Sequence, residues 1–351
     1  MKTTKTKLRL RTASLALGLT LSLPPASLFA QGSLTPPGAP APTMRTLTQI
    51  EPRTPISSAP VTLNAPGSYY LTTNLAVSGG DAITIATNGV TLDLNGFSIT
   101  SIAPITTGTG VRLNGGLRNI AILNGHIQGG VTNNAGTYAG PGFWTGISYS
   151  SPAPMNVRVA GVSVSGCLYS GIYLDVVNST VVEGCTVRTV GGTGIYASTI
   201  KNSVALDSGE MGISGKQVSD SQGESTSDWT GLYAEVAQNC RGTSKNGIGL
   251  RAYRTALNCY GFSESDTGLL ARSAQNCYGE SGGGGVGLYS DVANNCQGYS
   301  VSGIGLRCPG GVATGCLGSS TSSLGLGAKI AIGCIGVGTP PYDVQYKYNM
   351  P

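Results

Sequence analysis

The sequence is poor in charged, aromatic and histidine residues. Of its 351 residues, 11% are charged and 6% are aromatic, and His126 is the single histidine. Residues 1–30 carry five of the 21 basic residues and none of the 16 acidic ones, so the remaining chain is formally neutral. Nucleic-acid binding depends on a clustered excess of Lys and Arg, so the composition excludes a nucleic-acid partner. A lone histidine and the absence of any Cys-x-x-Cys pair leave a zinc site without support.

The N-terminus has the residue order of a secretory signal peptide. Basic residues up to Arg11 precede an apolar run at 15–23, and a small residue, Ala30, follows. We expect cleavage after Ala30, which predicts a secreted protein, extracellular or periplasmic. Residues 31–44 hold four prolines and two glycines and are predicted to form a linker. Beyond residue 30 no stretch approaches the roughly 18 apolar residues of a transmembrane helix, so none is expected in the mature chain.

Two residue columns recur in step through the second half of the chain. In the first, glycine is followed by isoleucine or leucine, at Gly171, Gly194, Gly212, Gly231, Gly249, Gly268, Gly287, Gly305 and Gly325. The second column holds cysteine or serine, at Cys167, Cys185, Ser203, Ser221, Cys240, Cys259, Cys277, Cys296, Cys316 and Cys334. A repeat of 18 to 20 residues with glycine at the turns and no helical periodicity predicts the coil of a parallel β-helix.

We therefore predict an all-β solenoid at 45–351. Residues 45–160 are expected to form an N-terminal cap and looped coils, 161–338 the regular coils, and 339–351 a C-terminal cap. The insert at 131–155 is expected to project from the coils. Because nine cysteines mostly share one repeat position, we expect a buried column of free thiols, although coils ~4.8 Å apart also permit disulfides between coils.

The residue after each Ile or Leu of the first column is predicted to face solvent, because side chains alternate along a strand. This position holds the candidate ligand-binding residues Tyr173, Tyr196, Tyr233, Arg251, Tyr289 and Arg307. A flat sheet with tyrosine and arginine on its surface suits sugar rings and their hydroxyls. Exposed strand tyrosines also occur for packing alone. Ser214 and Leu270 interrupt the column.

An acidic cluster offers an alternative site. Asp207, Asp220 and Glu224 are the catalytic candidates, and Glu210, Asp228 and Glu235 lie in the same coils. Carboxylates one coil apart, ~4.8 Å, suit a shared calcium ion or a retaining glycosidase, and two coils apart an inverting one. Calcium is the only cofactor this arrangement suggests. The plainer interpretation is a solvated stripe balanced by neighbouring lysines and arginines.

The stretch PGSYYLTTNLAVSGGDAITIATNGVTLDLNGFSI, residues 66–99, resembles the opening coils of secreted bacterial right-handed parallel β-helix proteins of the pectate-lyase-like superfamily. Residues 179–197, STVVEGCTVRTVGGTGIYA, are similar to its generic coil. The resemblance implies a right-handed helix. It does not imply one activity, because the superfamily includes lyases, glycosidases, epimerases, tailspikes, adhesins and members with no assigned activity. The Gly-His-Gly and Arg-Ile-Lys segments of its pectin-cleaving hydrolases are absent here, and His126 lies beside an ordinary Asn-Gly turn.

The sequence is compatible with three functions. The first is a secreted or surface-associated β-helix that binds a polysaccharide or cell-surface glycan without cleaving it. The second is a polysaccharide lyase or glycosidase that uses the acidic cluster. The third is a structural spacer or envelope component. Binding along the tyrosine column favours the first, and cleavage that depends on Asp207 or Glu224 favours the second.

Overall fold

The computed structural model describes residues 51–350, which form strands and turns without a helix. The expected signal peptide, the linker and the expected start of the domain at residue 45 lie outside this part of the chain. Residues 51–350 contain no helix long and apolar enough to cross a bilayer.

The strands vary from two to 13 residues in the first half of the described chain and are more regular in the second. The first half contains β1 (Thr54–Ile56), β2 (Val61–Leu63), β3 (Gly67–Leu71), β4 (Leu75–Val77), β5 (Ile83–Ile85), β6 (Val90–Asp93), β7 (Ser98–Ser101), β8 (Thr109–Leu113), β9 (Arg118–Gln128), β10 (Thr132–Asn134), β11 (Thr137–Ala139), β12 (Thr145–Tyr149), β13 (Met155–Cys167), β14 (Ile172–Tyr173), β15 (Thr180–Glu183) and β16 (Thr186–Val190). The second half contains β17 (Ile195–Lys201), β18 (Val204–Ser208), β19 (Ile213–Ser219), β20 (Gln222–Ser225), β21 (Leu232–Gln238), β22 (Arg241–Ser244), β23 (Leu250–Leu257), β24 (Tyr260–Ser263), β25 (Leu269–Gln275), β26 (Tyr278–Ser281), β27 (Leu288–Asn294), β28 (Gln297–Ser300), β29 (Leu306–Thr314), β30 (Leu317–Ser320), β31 (Leu326–Ile332), β32 (Ile335–Val337) and β33 (Tyr342–Tyr348).

All strands except β10 and β11 join one parallel sheet of 31 strands that winds into about 16 coils. The parallel β-solenoid predicted from the repeat is confirmed. Each coil contributes a rung to three stacks, which we call faces A, B and C. In β17, for example, Ile195 pairs with Ile213 on face A and Ile200 with Val218 on face B. The next strand, β18, lies on face C, where Val204 pairs with Gln222.

The core is a set of inward columns that become smaller along the chain. On face B the column runs through Val159, Val182, Ile200 and Val218 and continues as alanine from Ala237. On face A the Ile or Leu of each Gly-Ile/Leu pair is fully buried, as predicted from Ile172 to Leu326. Burial of these apolar side chains is what drives each coil to stack on its neighbour.

Glycines allow faces A and C to approach each other directly where the chain passes from C to A. A Cβ at Gly261 on face C would lie 2.2 Å from the carbonyl oxygen of Gly268, and one at Gly249 would lie 2.3 Å from that of Phe262. No side chain fits at such a distance, so the backbones themselves pack at this corner.

An asparagine ladder turns the chain from face B to face C. Asn239, Asn258 and Asn276 all have positive φ, the left-handed conformation that asparagine tolerates. The Nδ2 of Asn239 donates to Asp220 Oδ1 at 2.9 Å, that of Asn258 to Asn239 Oδ1 at 3.1 Å, and that of Asn276 to Asn258 Oδ1 at 3.2 Å. The ladder therefore fixes the same turn in successive coils.

The thiol column follows the ladder by one residue and is buried. All nine cysteines are free and buried. Each column thiol donates to a carbonyl two residues earlier, for example Cys259 Sγ to Leu257 O at 3.2 Å. The prediction for Cys167 is wrong, because Cys167 pairs with Val190 on face C, so the column begins at Cys185. Burial raises the pKa of the Cys167 thiol to about 12.

The insert at 131–155 folds back onto the coils rather than projecting. Strands β10 and β11 form an antiparallel hairpin, Phe143 is fully buried, and β12 is a rung of face A.

The segment expected to be the C-terminal cap forms a further rung, in which β33 pairs with β31. Lys347 falls in the inward alanine column there, opposite Ala331, with its Nζ 4.8 Å from the Tyr342 ring. Lys347 is exposed, and a lysine on an edge strand discourages another strand from pairing with this edge.

Candidate functional site

The predicted tyrosine and arginine column lies in register on the outer surface of face A. Strand pairing places Tyr173 beside Tyr196, then Ser214, Tyr233 and Arg251 on successive rungs. The same column continues through Leu270, Tyr289 and Arg307. The tyrosines are half-buried and the two arginines exposed. The column predicted from the alternation is confirmed, whereas its ligand-binding role remains a prediction.

Neighbouring tyrosines in this column stack face to face. The rings of Tyr173 and Tyr196 have centroids 4.8 Å apart and planes 21° apart, and Tyr149 continues the stack 6.3 Å from Tyr173. Burial, followed by neighbouring tyrosine and carboxylate groups, raises the pKa of both Tyr173 and Tyr196. The hydroxyls therefore stay protonated at neutral pH and can donate hydrogen bonds.

The stack is broken at Ser214, and the missing ring leaves a groove. Tyr196 and Tyr233 are two rungs apart, ~9.6 Å, with the small side chain of Ser214 between them. The groove has a volume of about 570 Å³, and Trp229 lies in its lining. We call this the notch groove. Ser214, which interrupts the tyrosine column, thus creates a concave site.

The charges of the notch groove balance. Lys216 and Arg251 carry positive charge, and Asp228 and Glu235 carry negative charge. The guanidinium of Arg251 lies 5.9 Å from the Tyr233 ring centroid. Asp228 accepts a hydrogen bond from Asn246 Nδ2 at 2.9 Å, outside the column. A site of this composition has no net preference for an anion or a cation.

The structure brings only part of the predicted set together. Tyr196, Tyr233 and Arg251 line the notch groove, and Tyr173 stacks behind Tyr196. Arg307 instead lines a separate groove of about 410 Å³ near the C-terminal end of the described chain, and Tyr289 lies between the two grooves.

Sequence reasoning missed Trp229, whose side chain is 51% exposed at the rim of the notch groove. Trp229 lies in the turn before β21, outside the repeat columns. The rarity of tryptophan could have pointed to it, because the chain has two tryptophans and large aromatic residues on an exposed turn are common in binding sites.

The catalytic candidate Asp207 holds the hairpin in place. Its Oδ1 accepts hydrogen bonds from Asn133 Nδ2 at 2.6 Å and from the Tyr138 hydroxyl at 2.7 Å. Burial opposes ionisation of Asp207, but these hydrogen bonds outweigh it and hold its pKa below the ordinary value of 3.8. Burial, together with the Asp207 contact, raises the pKa of Tyr138. Asp207 is thus a low-pKa acceptor between a hairpin and the coils.

The other acidic candidates point to different places. Asp220 accepts from Asn239 in the ladder, whereas Glu224 lies on the outer surface of face C, one rung from Thr243. Glu235 lies at the corner between faces A and B, 3.7 Å from Arg254. Within residues 51–350 no three His, Cys, Asp or Glu side chains are grouped as metal ligands. His126 is exposed on β9.

Glu224 does line a pocket of about 550 Å³ beneath the tip of the hairpin. Arg241, Lys245 and Glu264 line the same pocket. Carboxylates and basic groups therefore share this concavity, as they also share the notch groove.

Comparison with known proteins gives similarity of fold. No protein family matches the sequence, and no curated protein matches it. Among solved structures, the chain is similar to the A-module of the mannuronan C-5 epimerase AlgE4 from Azotobacter vinelandii, with 14% identity over 81% of this chain and 88% of that chain and a TM-score of 0.45. It is also similar to the catalytic domain of a GH87 α-1,3-glucanase in complex with nigerose, with 9% identity over 83% of this chain and 63% of that chain and a TM-score of 0.34. A third similar structure is the Dettilon tailspike protein, with 13% identity over 84% and 60% and a TM-score of 0.25. At these TM-scores the similarities carry no argument about the ligand of this chain.

Proposed function

We propose that the protein is a secreted or surface-associated β-helix that binds a neutral glycan in the notch groove without cleaving it. The observation that carries the proposal is the gap in the tyrosine stack. Tyr196 and Tyr233 stand two rungs apart, ~9.6 Å, and Ser214 leaves the space between them open.

The groove has the chemistry that sugars require. Pyranose rings present an apolar face that packs on aromatic rings, and their hydroxyls need polar partners around the edge. Tyrosine and tryptophan supply the aromatic rings, while Lys216, Asp228 and Arg251 supply the polar partners. The balanced charge favours a neutral glycan over an acidic one.

The case against cleavage rests on the dispersal of the acidic candidates. Asp207 holds the hairpin and Asp220 belongs to the ladder, while the two carboxylates that line the notch groove, Asp228 and Glu235, already contact Asn246 and Arg254. Secretion is supported by the residue order of the N-terminus, and the site itself lies on the outer surface of the solenoid.

A second candidate function, a polysaccharide lyase or glycosidase, is favoured by the pocket at Glu224. That pocket holds a second carboxylate, Glu264, and the basic groups Arg241 and Lys245, which are group types that cleaving enzymes use. It is centred on face C and does not contain the tyrosine column.

The test is a panel of soluble polysaccharides and hexasaccharides, neutral and acidic, titrated calorimetrically with and without calcium while product release is monitored. We expect saturable binding of a neutral glycan without products. Tyr233→Ala should weaken it about tenfold or more, because losing a stacking contact of about 1.4 kcal/mol costs that factor. Tyr289→Ala is the matched control, since Tyr289 occupies the same column outside the groove.

Equal effects of the two variants would contradict the proposal. Release of products that is lost in Glu224→Gln would favour the second candidate instead.

A further inference from the structure

A larger groove runs along the corner between faces B and C, away from the tyrosine column of face A. Its volume is about 860 Å³, and it extends over successive coils from Asp220 to Asn295. We call it the ladder groove. The thiols Cys240, Cys259 and Cys277 lie at its floor and are at most 3% exposed.

One wall of the ladder groove is the asparagine ladder. Each side-chain amide carries two N–H donors, and in Asn239, Asn258 and Asn276 one of them bonds to the preceding coil. The other N–H of each amide is not needed by the ladder. The wall therefore offers a hydrogen-bond donor at every coil, ~4.8 Å apart.

The opposite wall is a column of polar and aromatic side chains on face C. Strand pairing places Gln222, Arg241, Tyr260, Tyr278 and Gln297 on successive rungs. The rings of Tyr260 and Tyr278 have centroids 5.5 Å apart, and the Arg241 guanidinium lies 5.0 Å from the Tyr260 centroid. The Tyr260 hydroxyl donates to Glu280 at 2.9 Å, which holds this ring in place.

The residues that line the ladder groove determine which kind of ligand fits it. Asp220 and Arg241 are its charged residues, of opposite sign, and both lie toward one end. The stretch beside Asn258 and Asn276 is uncharged, with an apolar floor, amide donors and aromatic rings. This combination suits a neutral, hydroxyl-rich chain with an apolar face.

The groove suits an extended chain better than a compact molecule, because the same contacts recur at every coil. A peptide strand is disfavoured, since it would bind through backbone hydrogen bonds to a free sheet edge. The backbone groups here are already paired between coils, as Tyr260 N is with Cys240 O at 2.9 Å and Tyr278 N with Cys259 O at 2.9 Å.

We propose that the ladder groove is a second glycan-binding site, in which a neutral polysaccharide chain lies along the solenoid axis. Together with the notch groove it makes the protein bivalent, a conclusion that rests on the proposed function. Such a protein cross-links polysaccharide strands.

The test measures stoichiometry with neutral gluco- and manno-hexasaccharides by titration calorimetry. The wild-type protein should bind two per chain. The double variant Tyr260→Ala/Tyr278→Ala should keep the notch site and bind one. Tyr233→Ala, whose notch site is weakened about tenfold or more, should keep the ladder site and bind one at concentrations that saturate both sites of the wild type. Tyr299→Ala is the matched control, because Tyr299 is on face C outside the ladder groove. A second measurement is the turbidity of a long neutral glucan, which the wild-type protein should raise and either defective protein should not.

The outcomes separate the two proposals. One bound hexasaccharide in the wild type, lost in Tyr233→Ala and unaffected by the double variant, would overturn the ladder site and leave the proposed function standing. One bound hexasaccharide that depends only on Tyr260 and Tyr278 would do the reverse. No binding by the wild type would overturn both. The circular dichroism spectrum of every variant must match that of the wild type. The variant Tyr260→Phe/Tyr278→Phe keeps the aromatic rings and should therefore retain the second site, even if the alanine pair fails to fold.

Discussion

Replacing Ser214 by tyrosine is expected to stabilise the protein while it destroys the notch groove. The chain itself supplies the geometry, since Tyr173 and Tyr196 occupy consecutive rungs of the same column with ring centroids 4.8 Å apart. A tyrosine at 214 would stand between Tyr196 and Tyr233 and could form two such stacks. Each stacked pair contributes about 0.5–1.5 kcal/mol, so the variant should gain about 1–3 kcal/mol in the free energy of unfolding.

The assay combines urea unfolding with hexasaccharide titration. Ser214→Tyr should unfold at higher urea and lose binding in the notch groove, because its ring occupies the space the sugar needs. Leu270→Tyr is the control, since Leu270 lies in the same column between Arg251 and Tyr289 and outside the groove. Notch-site affinity that survives Ser214→Tyr would refute the assignment of the site. Unfolding at lower urea would refute the argument that the column accepts a ring at every rung.

Three further predictions concern the parts of the fold that frame the grooves. The nine buried thiols should react with a thiol reagent only after denaturation and without prior reduction, and intact disulfides detected by mass spectrometry would contradict this. Asn258→Ala should lower the free energy of unfolding by about 1–3 kcal/mol, since it removes ladder hydrogen bonds and forces alanine into a left-handed conformation. Asn258→Gly removes the same amide but tolerates the left-handed backbone, so it should lose less, and its remaining loss measures the ladder. Unchanged stability in Asn258→Gly would show that the amide ladder contributes nothing. Asp207 has a depressed pKa, so its contribution to holding the hairpin is present above the ordinary carboxyl pKa of 3.8 and is lost as pH falls below it. The protection of amides 132–139 from hydrogen exchange, relative to the intrinsic rate at each pH, should accordingly fall on acidification in the wild type but not in Asp207→Asn. The same pH dependence of protection in both proteins would contradict the role assigned to Asp207.

The regular columns could be predicted from the sequence because strand alternation and coil length determine them. Once glycine marks a turn every 18 to 20 residues, as it does from Gly194 onward, the residue two positions later must face outward. This places Tyr196, Tyr233 and Arg251 on one surface. The same counting failed at Cys167. An 18-residue step leads from Cys167 to Cys185, but the coil there is longer, with Val159 paired to Val182.

The concave parts of the site could not be predicted, because they depend on residues outside the repeat. Trp229 belongs to a turn, and turn residues have no fixed position in the lattice of columns. Tyr138 reaches Asp207 across 69 residues of sequence, through a hairpin whose return to the coils has no periodic signal. The sequence shows Ser214 as an interruption of the tyrosine column. That this interruption forms a groove follows only from the positions of the residues around it in the structure.

The central claim is that the gap between Tyr196 and Tyr233 holds a sugar ring. A crystal structure of the protein with a neutral hexasaccharide identified by the panel tests it most directly. The account predicts a pyranose ring between the two tyrosine rings, above Ser214, with hydroxyls within hydrogen-bond distance of Arg251, Lys216 or Asp228. A saturating hexasaccharide bound elsewhere, with the notch groove holding only water, would contradict it.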